Sequence, residues 1–101
     1  MAKKSFLRPL GDEVRLRFMI GTEKGIVKDF LVQLEVLYRG TWRACIRYNY
    51  AHGRPHIDFL YADGRRRKKW LSDVDLSRLI DTAQKDLSEN FDMYVGQMGY
   101  D

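Results

Sequence analysis

The chain has 101 residues, of which 45% are hydrophobic and 32% charged, and this composition is typical of one soluble globular domain rather than a disordered chain. No apolar run approaches the roughly 20 residues of a membrane span, and no apolar segment follows the basic N-terminus as it would in a signal peptide. The one cysteine, Cys45, excludes an internal disulfide and a cysteine-only metal site, and we expect a cytoplasmic protein. No cofactor is predicted, since the chain has no Walker-type phosphate loop and no dinucleotide fingerprint.

The charge is unevenly distributed along the chain. The net charge is +4, but residues 1–72 carry 16 Lys/Arg and 7 Asp/Glu, a net of +9, whereas residues 73–101 carry 2 Lys/Arg and 7 Asp/Glu, a net of −5. One part of the folded molecule should therefore be strongly basic and another acidic. Such a charge asymmetry is evidence about the partners of a protein rather than about its fold.

Strand patterns occupy the first two thirds of the chain. Apolar and polar residues alternate with period two over residues 13–20, 26–38, 41–51 and 54–62, as they do in half-buried strands. Asp63-Gly64 is a strong signal for a two-residue hairpin turn, because both positions of that turn need φ > 0. A fifth strand over residues 65–71 would be an edge strand, where Arg and Lys protect against aggregation. Residues 3–10 are compatible with a helical turn.

The last third changes to a helical period. Apolar residues recur at three- and four-residue spacing from Leu76 to Met98, which predicts an amphipathic helix from about residue 73 to about residue 95, with Ser72 as its N-cap. One apolar stripe covers one sheet face. The predicted fold is therefore α+β: an antiparallel meander of four or five strands with one long C-terminal helix packed on one face, in a single domain over residues 1–101.

The hairpin turns decide which side chains share the face away from the helix, called here the open face. A two-residue turn at His52-Gly53 places Arg47 opposite Asp58 and Asn49 opposite His56. Loops at 21–25 and 39–41 place Arg17 opposite Asp29, Gln33 opposite Arg47 and Glu35 opposite Cys45. Large apolar residues rimmed by cations indicate a covered or partner-binding face. The predicted open face carries the basic residues Arg15, Arg17, Arg43, Arg47, His56, Arg65, Arg67 and Lys69, and the apolar residues Met19, Leu31, Leu37, Cys45 and Leu60.

A run of basic residues follows the Asp63-Gly64 turn. Arg provides planar bidentate donors for phosphate and Lys a point charge, and the alternative is a solvated edge strand, since short basic runs are common. Most aromatic residues point to the core by parity. Trp70 and His56 remain as candidates to stack on bases, and Trp70 is equally a candidate core residue. The candidate nucleic-acid contacts are Arg43, Arg65, Arg66, Arg67, Lys68 and Lys69.

The two histidines flank the predicted turn. The spacing of His52 and His56 brings two metal ligands together on a helix rather than at a hairpin, and nothing beyond Asp58 completes a ligand set, so no metal site is predicted. A catalytic hypothesis uses the histidines as acid and base on a 2′-hydroxyl, Arg47 to stabilise phosphate charge and Asp58 to orient a partner. The alternative is a cross-strand ion pair between Arg47 and Asp58, worth a few tenths of a kcal/mol.

The segment IRYNYAHGRPHIDFLYADGRRRKKWL (46–71) resembles a motif of small uncharacterised prokaryotic proteins. More distantly, it is similar to TumE-like toxins of toxin–antitoxin pairs, which also carry a histidine-bearing hairpin. The resemblance covers about a quarter of the chain and implies that the hairpin is the signature of the group, without implying an activity. The motif reads Arg-Tyr-Asp, then Ala-His-Gly, then His-x-Asp, followed by a basic strand. The matching residues here are Arg47, Tyr48, Ala51, His52, Gly53, His56 and Asp58. Asn49 stands where the motif has Asp, and this difference counts against an acid–base role at that position.

These observations predict a small nucleic-acid-binding protein, with RNA favoured over DNA, that uses the basic open face and residues 65–69. Its catalytic version is a toxin-like ribonuclease. The alternative is a non-enzymatic homodimer that packs its open faces together, with Arg17, Asp29, Arg47 and Glu35 as a polar rim. An acidic protein partner would use the same cations, and no membrane association is predicted.

Overall fold

Six antiparallel strands form one sheet, and a single helix packs on one of its faces. The structure, a computed structural model, describes residues 2–51, 53–72 and 75–101. The strands lie in the order of the chain, so the first and the last are the edges. The predicted α+β class and the predicted C-terminal helix are confirmed. The predicted number of strands, four or five, was wrong, because the sheet has six. The elements are β1 (Ala2–Pro9), β2 (Val14–Glu23), β3 (Ile26–Tyr38), β4 (Thr41–Tyr50), β5 (His56–Leu60), β6 (Arg66–Trp70) and α1 (Leu76–Gln97).

The additional strand is β1, in the segment whose sequence is also compatible with a helical turn. β1 pairs with β2 along its whole length, from Ala2 opposite Thr22 to Pro9 opposite Arg15. The ring of Phe6 stacks on that of Phe18, with 4.6 Å between ring centroids. Every residue of β1 is exposed, so the strand needs no alternation of apolar and polar residues. That is why its sequence carries a weak strand signal.

The core lies between α1 and strands β2 to β4. The helix contributes Leu79, Ala83 and Leu87, all buried, at the spacing of one helical face. Burying a leucine side chain of this kind stabilises the fold by about 1.5–3 kcal/mol. The sheet contributes the buried residues Leu16, Phe18, Phe30, Val32, Leu34, Val36, Ile46, Tyr48, Ile57 and Phe59.

The helix begins and ends later than predicted. Asp75 is its N-cap, since the carboxylate accepts a hydrogen bond from the backbone N–H of Arg78 at 3.1 Å, and Ser72 is not. Asp and Ser are both good N-caps, so composition alone does not choose between them. The residues that would have formed the first predicted turn, 73 and 74, lie outside the described part of the chain. The helix continues to Gln97 rather than to Val95.

A polar cluster on the helix side of the sheet ties α1 to β4. The carboxylate of Asp86 accepts hydrogen bonds from the hydroxyls of Tyr48 and Tyr94, at 2.7 and 2.8 Å, and from the amide of Asn90 at 2.9 Å. Burial raises the pKa of both tyrosines, and their bonds to the carboxylate raise it further. Asn90 has non-helical φ and ψ of −119° and 15°, so the cluster coincides with a kink in α1.

Two β-bulges set the registers of the sheet. Between β3 and β4, Glu35 lies opposite Ala44 and Leu34 opposite Ile46, which leaves Cys45 as an extra residue. Between β2 and β3, Gly21 lies opposite Asp29 and Thr22 opposite Val27, which leaves Lys28 extra. The predicted pair of Glu35 with Cys45 was therefore wrong. The predicted pair of Arg17 with Asp29 was also wrong, because β2 and β3 are joined by a two-residue turn, Lys24-Gly25, instead of a five-residue loop. Arg17 lies opposite Gln33.

The central hairpins otherwise match the predicted register. Arg47 lies opposite both Asp58 on β5 and Gln33 on β3, as predicted, and Asn49 lies opposite His56. The turn that joins β3 to β4 contains two residues, Arg39 and Gly40, with φ of 52° and 80°, instead of three. The shorter turn and the extra Cys45 compensate each other, so the register beyond the bulge is the one that a three-residue loop would produce.

The last hairpin departs from the prediction by one residue. The N–H of Tyr61 donates to the carbonyl of Arg65, which closes a loop of three residues, with Gly64 at φ 93°, instead of a two-residue Asp63-Gly64 turn. The side chains of β6 are consequently on the opposite faces to those predicted. Leu60 lies opposite Arg66, Asp58 opposite Lys68 and His56 opposite Trp70.

Candidate functional site

The open face is organised as rows of side chains that run across the strands. Adjacent strands are about 4.8 Å apart, and two residues along a strand advance by about 7 Å, so neighbouring rows lie about 7 Å from each other. Two complete rows follow from the pairings. The tryptophan row contains Ser5, Met19, Leu31, Asn49, His56 and Trp70, and the charged row contains Leu7, Arg17, Gln33, Arg47, Asp58 and Lys68.

A buried carboxylate lies beside the charged row. Glu35 is only 5% exposed although no helix covers this face, because Arg15 and Arg17 lie over it. Their Nε atoms each donate to one carboxylate oxygen at 2.7 Å, and Gln33 donates at 2.6 Å. Burial by itself raises the pKa of Glu35, but the bonds from Arg17, Arg15 and Gln33 outweigh burial and hold the pKa below its ordinary value.

Arg15 also covers an aromatic ring. The guanidinium carbon of Arg15 lies 3.9 Å from the ring centroid of Trp42. Simple alternation with Arg43 and Cys45, both predicted on the open face, would turn Trp42 toward the helix. The bulge at Cys45 reverses the parity of β4 before it, so Trp42 lies on the open face, opposite Leu37. For the same reason Cys45 is buried on the helix face, where its thiol lies 3.8 Å from the carbonyl oxygen of Tyr94. Burial raises the pKa of this thiol to about 12.

Arg47 and Asp58 lie opposite each other, but each has a different polar partner. Arg47 donates through Nε to the side-chain oxygen of Gln33 at 2.6 Å. Asp58 accepts from the amide of Asn49 at 3.1 Å and lies 3.4 Å from Nε2 of His56. The predicted ion pair between Arg47 and Asp58 is therefore replaced by two separate contacts along the open face.

His56 is held between two acceptors. Its Nδ1 lies 3.2 Å from the carbonyl oxygen of Arg54, and its Nε2 faces Asp58. Neither ring nitrogen is directed away from the protein toward a substrate. Of the four predicted catalytic residues, the structure brings His56 and Asp58 together and turns Arg47 toward Gln33. His52 lies outside the described residues.

The most exposed aromatic ring of the open face is that of Trp70. Its side chain is 52% exposed, and the ring of His56 contacts it edge-on, with 5.3 Å between centroids. The ammonium of Lys68 lies 5.0 Å and the guanidinium carbon of Arg54 lies 5.6 Å from the indole centroid. From the sequence, Trp70 was a candidate for base stacking and equally a candidate core residue. Arg54 was not predicted as a site residue, because its position depends on the loop before β5.

The predicted basic contacts are divided between the two faces. Arg66 and Lys68 share the open face with Leu60 and Asp58, whereas Arg67 and Lys69 lie opposite Phe59 and Ile57 on the helix face. Arg65 closes the loop before β6 and forms an ion pair with Asp63 at 2.8 Å. Arg43 was also predicted on the open face, which was wrong: the bulge turns it to the helix face, near the rings of Tyr38 and Tyr100.

Neither a metal site nor a membrane helix is present in the part of the chain that the structure describes. Within residues 2–51, 53–72 and 75–101, no three His, Cys, Asp or Glu side chains are grouped as metal ligands. No helix among these residues is long and apolar enough to cross a bilayer.

Comparison with known proteins identifies a family without an assigned activity. Residues 1–98 match the family described as a domain of unknown function (DUF7718). The chain belongs to this family. No curated protein and no solved structure matches the chain significantly. The match spans the whole sheet and all of α1. The open face is therefore part of the domain that the family shares.

Proposed function

We propose that the protein binds single-stranded RNA on the open face, at the end of the sheet formed by β5 and β6. The observation that carries this proposal is that Trp70 is about half exposed, with Lys68 and Arg54 over the indole and His56 in a T-shaped contact with it. Stacking of a base on an aromatic ring is worth about 1–3 kcal/mol and needs an accessible ring face. Lys68 and Arg54 lie over the ring, so a stacking base takes the place of one of them, and the cations then contact the adjoining phosphates.

The two rows match the repeating chemistry of a single strand. The tryptophan row offers aromatic, apolar and amide side chains, which suit bases. The charged row presents Arg17, Arg47 and Lys68 about 7 Å away, on alternate strands about 10 Å apart, which suits phosphates. A strand that crosses the sheet from β6 toward β2 would meet both rows at once.

The shape of the open face favours a single strand over a duplex. Six strands about 4.8 Å apart give a surface about 24 Å wide between the edges. The major groove of B-form DNA is about 12 Å wide and does not admit such a surface. Sequence-reading contacts to RNA are made mostly with single-stranded segments, whose bases are free to stack on aromatic rings.

The test is a fluorescence-anisotropy titration of labelled single-stranded RNA of about ten nucleotides, within the usual range of about 4–16 per site. We expect Trp70→Ala to weaken binding about tenfold or more and Met93→Ala, an exposed apolar residue on α1, to leave it unchanged. Arg66→Ala and Lys68→Ala should each lower the log–log salt slope by about 0.7. Absence of binding at low salt, or equal binding by Trp70→Ala, contradicts the proposal.

A ribonuclease activity at the same place is the catalytic version of this proposal. It is supported by the contact of His56 with Asp58 directly beside Trp70. It is opposed by the two acceptors at the ring nitrogens, which leave no lone pair of His56 directed at a substrate. Incubation of end-labelled RNA with the wild type and with His52→Ala and His56→Ala decides the matter. Cleavage that both variants retain in full excludes these residues as acid and base.

A homodimer through the open face is the second candidate function. It is supported by Leu7 and Met19, each 46% exposed, which share the open face with Trp70. Of the other predicted apolar residues, Cys45 does not support it, because it lies on the helix face. Sedimentation equilibrium at high protein concentration gives the mass, and a dimer that Met19→Ser weakens supports this alternative. A monomeric mass contradicts it.

An acidic protein partner would compete with RNA for the same cations.

A further inference from the structure

A groove continues the proposed RNA site along the tryptophan row. It has a volume of about 270 Å³, close to the lower end of roughly 300 Å³ for small-ligand sites. Its apolar wall on the open face comes from Met19 and Leu31, and its polar rim from Asn49 and the ion pair of Lys3 with Asp29 at 3.3 Å. The groove thus combines apolar area with few polar groups, as sites for planar ligands do.

The orientation of the Asn49 amide in this groove is determined by its neighbour. Asp58, a carboxylate that only accepts, lies 3.1 Å from Nδ2 of Asn49, so the nitrogen must face β5. His56 holds the same carboxylate oxygen from the other side. Among the described residues, nothing bonds to the amide oxygen of Asn49 or to its second N–H. Asn49 therefore offers the groove one acceptor and one donor, and its bond to Asp58 holds the amide in place.

We propose that the groove is an adenine subsite for the RNA strand that stacks on Trp70. An asparagine amide pairs with adenine in a bidentate manner, accepting from the 6-amino group and donating to N7. Met19 and Leu31 pack against the base, and Lys3 lies at the rim for a phosphate. This inference rests on the proposed RNA binding and adds a base preference to it.

The position of the subsite agrees with a continuous strand. Asn49 lies two strands from Trp70 in the same row, about 10 Å away, and Leu31 and Met19 follow on the next two strands. Hypoxanthine carries an oxygen where adenine carries the 6-amino group. The carbonyl of Asn49 would face that oxygen acceptor to acceptor, so the two bases should be discriminated by about tenfold.

The experiment compares two labelled oligouridines that differ only in one central nucleotide, adenosine or inosine. For the wild type we expect the adenosine oligomer to bind about tenfold more tightly. Asn49→Leu, which keeps the size of the side chain, should reduce this ratio to about one. Met19→Ser, at an exposed position, should weaken both oligomers and retain the ratio, because Met19 packs against either base alike. Trp70→Ala should weaken both oligomers and retain the ratio. Met93→Ala is the control, and circular dichroism verifies the fold of each variant.

The outcomes separate the subsite from the proposed function. Tight binding of both oligomers with a ratio of one overturns the adenine subsite and leaves RNA binding intact. Failure of the wild type to bind either oligomer overturns both. A ratio that survives Asn49→Leu shows that another place on the protein reads the base, which overturns the assignment. Adenosine monophosphate that binds as tightly as the oligomer overturns the assignment to a strand.

Discussion

Glu35 holds the charged side chains of the open face in position. It is a carboxylate in mid-strand on a face without a helix, and it is buried only because the side chains of Arg15 and Arg17 fold over it. Gln33 extends the contact from Glu35 to Arg47. The guanidinium groups are thereby fixed in position before any partner arrives, which reduces the entropy lost on binding.

The replacement Glu35→Gln should destabilise the protein in a pH-dependent way. The pKa of Glu35 is lowered in the folded state, so its charge stabilises the fold above the ordinary carboxyl pKa of about 4.3 and loses this effect as pH falls through the folded pKa. We expect the variant to be less stable by about 1.5–3 kcal/mol at neutral pH, as for hydrogen bonds to charged groups. Urea unfolding at neutral pH and at progressively lower pH measures it. A difference between the proteins that does not shrink below about pH 4 contradicts the interpretation.

The thiol of Cys45 should be unreactive in the folded protein. It is fully buried, and its pKa of about 12 leaves little thiolate at mildly alkaline pH, whereas an exposed thiol has a pKa of about 8.5. We expect Ellman's reagent to modify the native protein about a thousandfold more slowly than the urea-unfolded protein. Similar rates in the two states would place Cys45 on the surface, as the simple alternation of β4 predicted.

Among the secondary-structure elements, the strands with a buried face and the helix could be predicted from sequence, because burial imposes a period. β1 could not, since neither of its faces is buried and no period is required. The faces of β4 before Cys45 and of β6 were predicted wrongly, because one bulge or one residue in a loop reverses every later side chain. The same limit applies to the candidate site, where positions that depend on a bulge or on loop length were not predicted. The pairing of Asn49 with His56 was predicted, and the places of Trp42 and Lys68 were not.

The bulge between β2 and β3 depends on Gly21. A Cβ at this position would collide with the carboxylate of Asp29, which is already held by Lys3. We expect Gly21→Ala to destabilise the fold by about 1–3 kcal/mol, as overpacking usually does. Gly11→Ala is the matched control, because a Cβ there meets nothing within 4 Å. Thermal unfolding of both variants measures the effect, and equal melting temperatures would show that Asp29 moves aside freely.

The whole molecule separates its charges between its two layers. The basic strands form the sheet, and the acidic segment, net −5 over residues 73–101, contains α1. A polyanion is therefore attracted to the open face and repelled from the helix side, so that encounters are oriented before contact. This attraction should weaken steeply with salt, since the Debye length falls to about 8 Å at physiological ionic strength.

Both edges of the sheet are protected by charge. β1 and β6 carry basic residues and no acidic ones, so two copies placed edge to edge repel each other. We expect the double replacement Arg67→Ser with Lys69→Ser, on the helix face of β6, to promote association into larger species. Lys24→Ser with Lys85→Ser removes the same charge elsewhere and is the control. Light scattering during storage at physiological salt measures association. Equal scattering by the two double variants would show that β6 needs no such protection.

The bulges at Lys28 and Cys45 also determine where the chain can change in length. At each bulge, the residues before and after the extra one already lie on the faces that a regular ladder would assign to them. Removal of Lys28 or Cys45 would thus leave every other side chain on its present face, whereas loss of a neighbouring residue would invert part of a strand. Homologues that differ by one residue within β3 or β4 are expected to differ at these two places, and an alignment that puts the gap elsewhere would misassign the open face.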